Sequence, residues 1–249
     1  MLMSRIIPVL LIRDKGLIKT IKFNEGKYIG DPINAVKIFN EKKVDEIVLL
    51  DIDATTKAQE PDYKMIESIA SQCRSPLCYG GGIKSVDVAR KILSLGVEKV
   101  AISSQAIKDP TILTKLVSAI GSQSVVLVLD VKKKLLGGLE IMISNGTKKT
   151  GYTPTEFLEK IRPIGVGEIV INSIDNDGMM NGYPFELFDR LKEHIDVPMT
   201  ILGGAGSEAD LKEAVARYGT IGAAAGSYFI YKGKYKAVLI DYPKNPRDI

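Results

Sequence analysis

The chain repeats itself at half its length. Glu46-Ile-Val-Leu-Leu-Asp-Ile-Asp53 resembles Glu168-Ile-Val-Ile-Asn-Ser-Ile-Asp175, 122 residues later. Gly80-Gly-Gly82 is matched by Gly203-Gly-Ala205, and Ala101-Ile-Ser-Ser104 by Ala224-Ala-Gly-Ser227, each 123 residues on. Arg5-Ile-Ile-Pro-Val-Leu-Leu11 is matched by Ser124-Val-Val-Leu-Val-Leu-Asp130 at an offset of 119. A repeat of this length is a duplicated multi-element unit. Short β-branched runs begin near Arg5, Glu46, Pro76, Lys99, Ser124, Glu168, Pro198 and Thr220. They are almost continuously apolar, as parallel strands covered on both faces must be. Segments of helical period lie between them, with Ser85 and Ser207 as N-caps and Gly96 and Gly219 past helix ends. Eight βα units in 249 residues predict a (β/α)8 barrel of one domain. Its half-barrels would span about 1–120 and 121–249, with no linker. An open doubly wound sheet is the alternative. One long connection, 131–152, carries Asn145-Gly146 as a hairpin turn.

Composition narrows the function by exclusion. The 34 basic and 30 acidic residues leave a net charge of +4, too small and too dispersed for a nucleic-acid binder. The run Lys132-Lys133-Lys134 reads as a solvated turn. Cys73 and Cys78, with only His194 to help, make neither a disulfide framework nor a zinc site. No metal or cofactor is expected, and a reducing, cytoplasmic compartment is the simplest reading. A single histidine excludes mechanisms that need two; His194 reads as the solvated end of a surface helix. Ile6–Ile12, flanked by Arg5 and Arg13, reads as a buried strand and not a signal peptide. No apolar run reaches the roughly 18 residues of a membrane span.

Gly80-Gly-Gly82 and Gly203-Gly-Ala-Gly206 each follow a strand and precede a helix. Glycine there admits close approach of a ligand, and a helix N-terminus offers free N–H groups to an anion. Ser103-Ser104 and Gly226-Ser227 end the next strands and can complete each cradle. Two phosphate sites, one per half, therefore suit a small substrate phosphorylated at both ends. As simple turns, the same glycines need no ligand. Neither run fits the dinucleotide-binding pattern.

Asp130 ends an apolar strand at the face where barrels keep their chemistry, so it is the first candidate for acid–base work. Asp51 and Asp53 end the second strand, and Asp175 and Asp177 follow the sixth. Asp53 and Asp175 serve equally well as turn formers. Lys19 lies on the loop after the first strand, where a flexible lid would carry it over a phosphate.

The ordered set Arg5-Ile-Ile, Gly80-Gly-Gly-Ile83, Gly121-Ser-Gln, Asp130, Ser173-Ile-Asp-Asn-Asp-Gly178 and Gly203-Gly-Ala-Gly206 resembles the cyclase subunit of imidazole glycerol phosphate synthase, across the whole chain. The resemblance implies a half-barrel-repeat (β/α)8 subunit. It would receive ammonia through the barrel from a glutaminase at the N-terminal face. At the other mouth it would join that ammonia to a bisphosphorylated ribonucleotide, by lyase and cyclisation chemistry. The phosphate-binding positions carry over to Gly82, Ser103 and Ser104 in one half and to Asp177, Gly178, Gly204, Gly226 and Ser227 in the other. Lys19 and Asp51 match as substrate-site positions. The family's ammonia gate corresponds to Arg5, Glu46, Lys99 and Glu168; as a plain salt-bridged barrel bottom the same ring would only stabilise.

The departures lie at the top. The resemblance implies two aspartates as acid and base, and the first of these positions is Leu11. Ser103 stands where the family has Asn, Asn172 where it has Thr, and Leu202 where it has a small polar residue. These changes point to a paralogue that still receives ammonia but no longer forms the imidazole ring efficiently. Such paralogues resemble ammonia suppliers for sugar amidation in surface polysaccharide synthesis, giving an acetamidino group with a separate sugar amidotransferase. The alternatives are a true histidine-pathway cyclase, a non-catalytic ammonia conduit or scaffold, and a sugar-phosphate isomerase.

Overall fold

The computed structural model describes residues 3–24, 26–244, 246 and 249. Eight parallel strands form the barrel: β1 (Arg5–Arg13), β2 (Ile47–Asp51), β3 (Leu77–Gly80), β4 (Lys99–Ile102), β5 (Val125–Lys133), β6 (Glu168–Ser173), β7 (Met199–Leu202) and β8 (Gly222–Ala225). Each pairs with the next in parallel, β8 pairs back to β1, and β5 pairs with β6, which closes the ring. An open sheet would lack one of these pairings. Among the described residues, seven helices wrap the barrel: α1 (Pro32–Glu41), α2 (Tyr63–Ala70), α3 (Val86–Ser94), α4 (Thr111–Ile120), α5 (Pro154–Ile161), α6 (Phe185–Lys192) and α7 (Glu208–Tyr218). A five-residue helix, Ser104–Lys108, follows β4. The eighth unit corrects the expectation of a helix: β8 leads to a 3₁₀ turn, Ser227–Phe229, and then to the small hairpin of Tyr231–Lys232 with Ala237–Val238.

Local chemistry explains the helix boundaries. The Ser85 hydroxyl accepts from the Val88 amide at the start of α3. Ser207 forms a reciprocal capping box with Asp210 on α7, and Thr153 does the same with Glu156 on α5. Gly96 and Gly219 leave α3 and α7 at φ of 98° and 68°. His194 falls just past α6, and its Nδ1 lies 2.8 Å from Glu159 on α5. No helix among the described residues is long and apolar enough to cross a membrane.

The strand period of two sorts the core. Outward residues such as Ile6, Leu10 and Ile12 of β1 join the large sheet–helix core. Inward residues form a second, smaller cluster that includes Ile7, Val9, Cys78, Val126, Val128 and Val170. Because alternate residues share a face, β1 presents Arg5, Ile7, Val9 and Leu11 in line from the bottom of the barrel to the top. Glu168, Val170 and Asn172 rise in the same way on β6. The two ends of the barrel are thus linked through single strands.

Gly222 shows how tightly the base is fitted. A Cβ there would lie 1.8 Å from the Thr200 Oγ1 and 2.8 Å from its Cβ. That hydroxyl donates to Glu168. Gly222→Ala is expected to destabilise the chain by roughly 1–3 kcal/mol through overpacking, read as a lower midpoint in urea. An unchanged midpoint would mean that β7 and β8 separate easily.

The long connection after β5 departs from expectation at one end and meets it at the other. Lys132 and Lys133 belong to β5 itself, which overruns the barrel and returns as Leu139–Ile143. Lys134 alone opens the turn between them, and its backbone N–H donates to the Gly138 carbonyl. The Asn145-Gly146 turn forms as predicted, with Ile143 paired to Lys148.

Candidate functional site

A cavity of about 300 Å³ opens at the C-terminal ends of the strands. Its floor is the topmost inward layer, which includes Leu11, Gly80, Ser103, Asp130, Asn172 and Gly226. β1 and β5 stand four places apart in the ring of eight, so Leu11 and Asp130 lie on opposite walls. Beneath it a void of about 20 Å³ is lined by Ile7, Val48, Cys78, Val126 and Val170 among others. Val9, Leu50, Ala101, Val128 and Leu202 border both spaces. A void of that size holds one water-sized molecule; Glu46, Glu168 and Thr200 border it at the base, and the rest of its wall is apolar apart from backbone.

Asp130 and Asn172 face each other directly across β5 and β6. The Asn172 amide Nδ2 donates to Asp130 Oδ1 at 2.9 Å. Burial pushes the Asp130 carboxyl up to about 6; the Asn172 hydrogen bond works against that rise and the negative charge of Asp177 adds to it. A carboxyl in this range can both give and take a proton near neutrality. The shift also has a sign in stability. Asp130 binds its proton more tightly when folded, so its contribution is complete below pH 3.8 and is lost as pH rises through about 6. Asp130→Asn escapes that loss. Its stability relative to the native chain should rise by roughly 2 kcal/mol between pH 4 and 7, measured by urea unfolding at both values. A constant difference would mean that Asp130 titrates as an ordinary surface carboxylate.

Lys19 departs from its expected place on a loop. It ends the short strand Gly16–Lys19, which folds back antiparallel on β1. It is buried, and its Nζ donates to the Val9 carbonyl at 2.6 Å. Burial lowers its pKa to about 8, opposed by the charge of Asp177. The ammonium group lies 2.6 Å from where a Cβ on residue 226 would stand, so Gly226 is the surface against which Lys19 packs. Asp177 accepts from the Thr20 hydroxyl at 3.0 Å, and burial raises its pKa despite that bond and the charge of Lys19.

The two predicted cradles are not equally open. In the first, Gly82, Ser103 and Ser104 line the cavity. The Gly82 amide approaches the Thr55 hydroxyl at 3.3 Å, and the Ser104 hydroxyl accepts from the Ser144 amide at 3.1 Å. In the second, Asp177, Gly226 and Ser227 line the cavity, but Gly178 and Gly204 do not. A Cβ at Gly178 would meet the Thr20 carbonyl oxygen, and one at Gly204 the Gly182 carbonyl oxygen, each at 2.2 Å. These two glycines are therefore explained by backbone packing behind the wall.

The remaining carboxylates divide by partner. Asp51 lines the cavity, and its Oδ1 accepts from the Asp53 and Ala54 amides, both at 3.0 Å. Burial still raises its pKa against those two bonds. Asp53 is held by Arg13 and Lys57, and Asp175 accepts from the Lys133 amide at 2.8 Å; both are structural. Sequence reasoning missed Lys84 and Lys108, which line the mouth beside the first cradle. Lys84 directly follows the Gly80–Ile83 motif, and Lys108 ends the short helix that begins after Ser103. Those adjacencies were the available signal.

At the opposite end, Arg5, Glu46, Lys99 and Glu168 close a ring of alternating charge. Arg5 pairs with Glu46 and, at 2.8 Å, with Glu168. Lys99 pairs with Glu46 at 2.9 Å and with Glu168 at 3.0 Å. Burial opposes charge on Arg5 and Lys99, yet both cations are strengthened, because Glu168 and Glu46 outweigh it. Burial likewise opposes charge on Glu168, and the Arg5 hydrogen bond and the two cations hold its pKa below the usual value. In this arrangement the four side chains are joined by ion pairs across the base. No cluster of three or more metal-ligating side chains occurs among the described residues.

Residues 5–236 match the family model described as histidine biosynthesis protein. A Vibrio vulnificus protein provisionally named imidazole glycerol phosphate synthase subunit hisF3 is 56% identical over 244 residues, covering 98% of this chain and 94% of its own length. Its Pseudomonas aeruginosa counterpart, provisionally named hisF2, is 48% identical over 243 residues, 98% of this chain and 97% of its own. The imidazole glycerol phosphate synthase subunit HisF of Oleidesulfovibrio alaskensis is 37% identical over 240 residues, 94% and 92% of the two chains. Fold, mouth and sequence converge: the chain belongs to the histidine biosynthesis protein family, as a HisF-like (β/α)8 barrel.

Proposed function

We propose that this chain is a HisF-like synthase subunit that takes ammonia from a glutaminase docked at the N-terminal face. It passes that ammonia through the barrel to a phosphorylated substrate at the C-terminal mouth. It acts as a paralogue whose ammonia serves amidation of a sugar, forming an acetamidino group for a surface polysaccharide with a separate sugar amidotransferase. The observation that carries the reading is Leu11 on the wall opposite Asp130. One carboxyl at the mouth has a pKa tuned for proton exchange, and the residue facing it has no proton to give. The relatives support a separate branch: those at 56% and 48% identity carry paralogue numbers, and one named HisF without qualification stands at 37%.

Asp130 is the acid–base residue in this reading. Gly82, Ser103 and Ser104 hold one phosphate; Asp177, Gly226 and Ser227, with Lys19 above them, hold the other. Gly178 and Gly204 support that second cradle from behind. Arg5, Glu46, Lys99 and Glu168 are the gate, which must part to admit ammonia. The second reading, a histidine-pathway cyclase, is favoured by the retention of two cradles, which a bisphosphorylated ligand would span. The purified chain, given the bisphosphorylated ribonucleotide and ammonium, decides between them. We expect negligible cyclisation by the native protein; robust turnover would establish the second reading. Gel filtration with the glutaminase tests the other face independently.

A further inference from the structure

Three side-chain polar atoms among the described residues are buried without a hydrogen-bond partner: Tyr79 Oη, Ser103 Oγ and Asn172 Oδ1. A buried polar group left unpaired loses its hydration without replacement, so two at one site call for an explanation. Ser103 and Asn172 both sit on the floor of the mouth, and Asp130 lies between their strands. β4, β5 and β6 are consecutive in the ring, so the three residues form one polar arc. The neighbouring inward residues Leu11, Gly80, Gly226, Leu50 and Leu202 bring no polar side-chain atom.

The orientation of the Asn172 amide is dictated by its neighbour. Its NH₂ must face the Asp130 carboxylate, because the reverse would set two acceptors against each other. Its oxygen is therefore turned away from Asp130 and remains unmatched, on a residue only 4% exposed. Ser103 Oγ lies close enough to Asp130 to favour its ionised form, but not in a proper hydrogen-bond geometry. The arc thus offers acceptors at Asn172 Oδ1 and at the Asp130 oxygen not bonded to Asn172, together with a donor on Ser103. Directly beneath Asn172 on the same strand face is Val170, and beneath Asp130 is Val128; both line the apolar interior void.

We propose that Ser103, Asp130 and Asn172 form a docking point for ammonia where the barrel interior meets the mouth. This rests on the reading that ammonia travels through the barrel, and it adds where the molecule halts. Ammonia has three N–H donors and one lone pair. Two donors match Asn172 Oδ1 and Asp130, the lone pair matches the Ser103 hydroxyl, and one N–H is left toward the cavity. Leu11, Leu50 and Leu202 offer no competing site, so the nucleophile is held on one side of the mouth. In this account Asn172 is a positioning residue for ammonia, and Ser103 turns its hydroxyl to ammonia while its backbone stays with the phosphate cradle.

The test is an equilibrium measurement on the full native chain and needs neither a glutaminase nor an acceptor. The ¹³C resonance of the Asp130 carboxyl is titrated in ammonium chloride, potassium chloride and tetramethylammonium chloride at equal concentration. Ammonium reaching the site from the mouth carries a fourth N–H in place of the lone pair, which the Ser103 oxygen then accepts, and should lower the apparent pKa of Asp130 by roughly one unit relative to tetramethylammonium, with potassium giving much less. Asn172→Leu should abolish the difference between ammonium and potassium, and Ser103→Ala should reduce it. Folding of both variants is checked by their melting temperatures, and Ser103→Ala decides alone if Asn172→Leu fails to fold. Identical titrations in the three salts, an equal effect of potassium, or an ammonium effect that survives in the variants would each overturn the proposal. Glutaminase binding can fail while this result stands, so the two readings fall separately.

Discussion

In Leu11→Asp, cyclisation of the bisphosphorylated ribonucleotide with ammonium is expected to rise by roughly 10²–10⁴-fold over the native chain, the usual worth of a positioned general acid or base. The new carboxylate would enter a wall made by Leu50 and Val9. Loss of water there pushes a carboxyl pKa upward, toward the range in which it exchanges protons at neutral pH. It would also face Asp130 across the cavity, giving the mouth carboxyls on two opposite walls. Turnover is followed with ammonium in place of a glutaminase, so nothing has to cross the charged ring at the base. An unchanged rate, with the ribonucleotide still bound, would mean that Asn172 and Leu202 have altered the mouth beyond repair by one residue. A native chain already as fast as the variant would remove the paralogue reading altogether.

Glu168→Leu should cost about 3–5 kcal/mol of stability, the usual consequence of removing one partner from a buried ion cluster. Glu168 is 5% exposed and bonds Arg5, Lys99 and Thr200 at once. Its loss leaves two cations sharing Glu46 in a space largely closed to water. The companion Arg5→Met/Glu168→Leu restores neutrality, since Lys99 and Glu46 still pair, and should recover most of the loss. Urea unfolding of the single and double variants reads both values. Equal destabilisation by both would mean that packing, not charge balance, holds the base together.

Much of the barrel was legible because alternation and repetition leave strong traces. All eight strands start within two residues of their expected positions, since a parallel strand buried on both faces must be written as an apolar run. The charged ring was legible because Arg5, Lys99 and Glu168 interrupt that pattern at strand starts, with Glu46 just before β2. Lys19 was not. Its strand folds back through Asp14 and Lys15, both at positive φ (48° and 66°), a turn normally announced by Asn-Gly or Asp-Gly. The position of Gly178 and Gly204 behind the cavity wall was illegible for a different reason. A glycine kept clear for a ligand and one kept clear for a neighbouring carbonyl look the same in sequence, and only the distances to Thr20 and Gly182 separate them. Asn172 and Ser103 were visible as departures from a pattern, but their unmatched polar atoms exist only once β4, β5 and β6 stand side by side.

The duplicated halves are alike at the rim and unlike in the middle. Leu11 corresponds by the repeat to Asp130, Leu50 to Asn172 and Ser103 to Gly226. Each position that is polar in one half is bare or greasy in its twin. A ligand with similar ends would find two comparable handholds yet only one wettable flank for its centre. The mouth is therefore handed: a guest entering backwards would press its reactive atoms against leucine, so the gene duplication kept the grip and discarded the ambiguity.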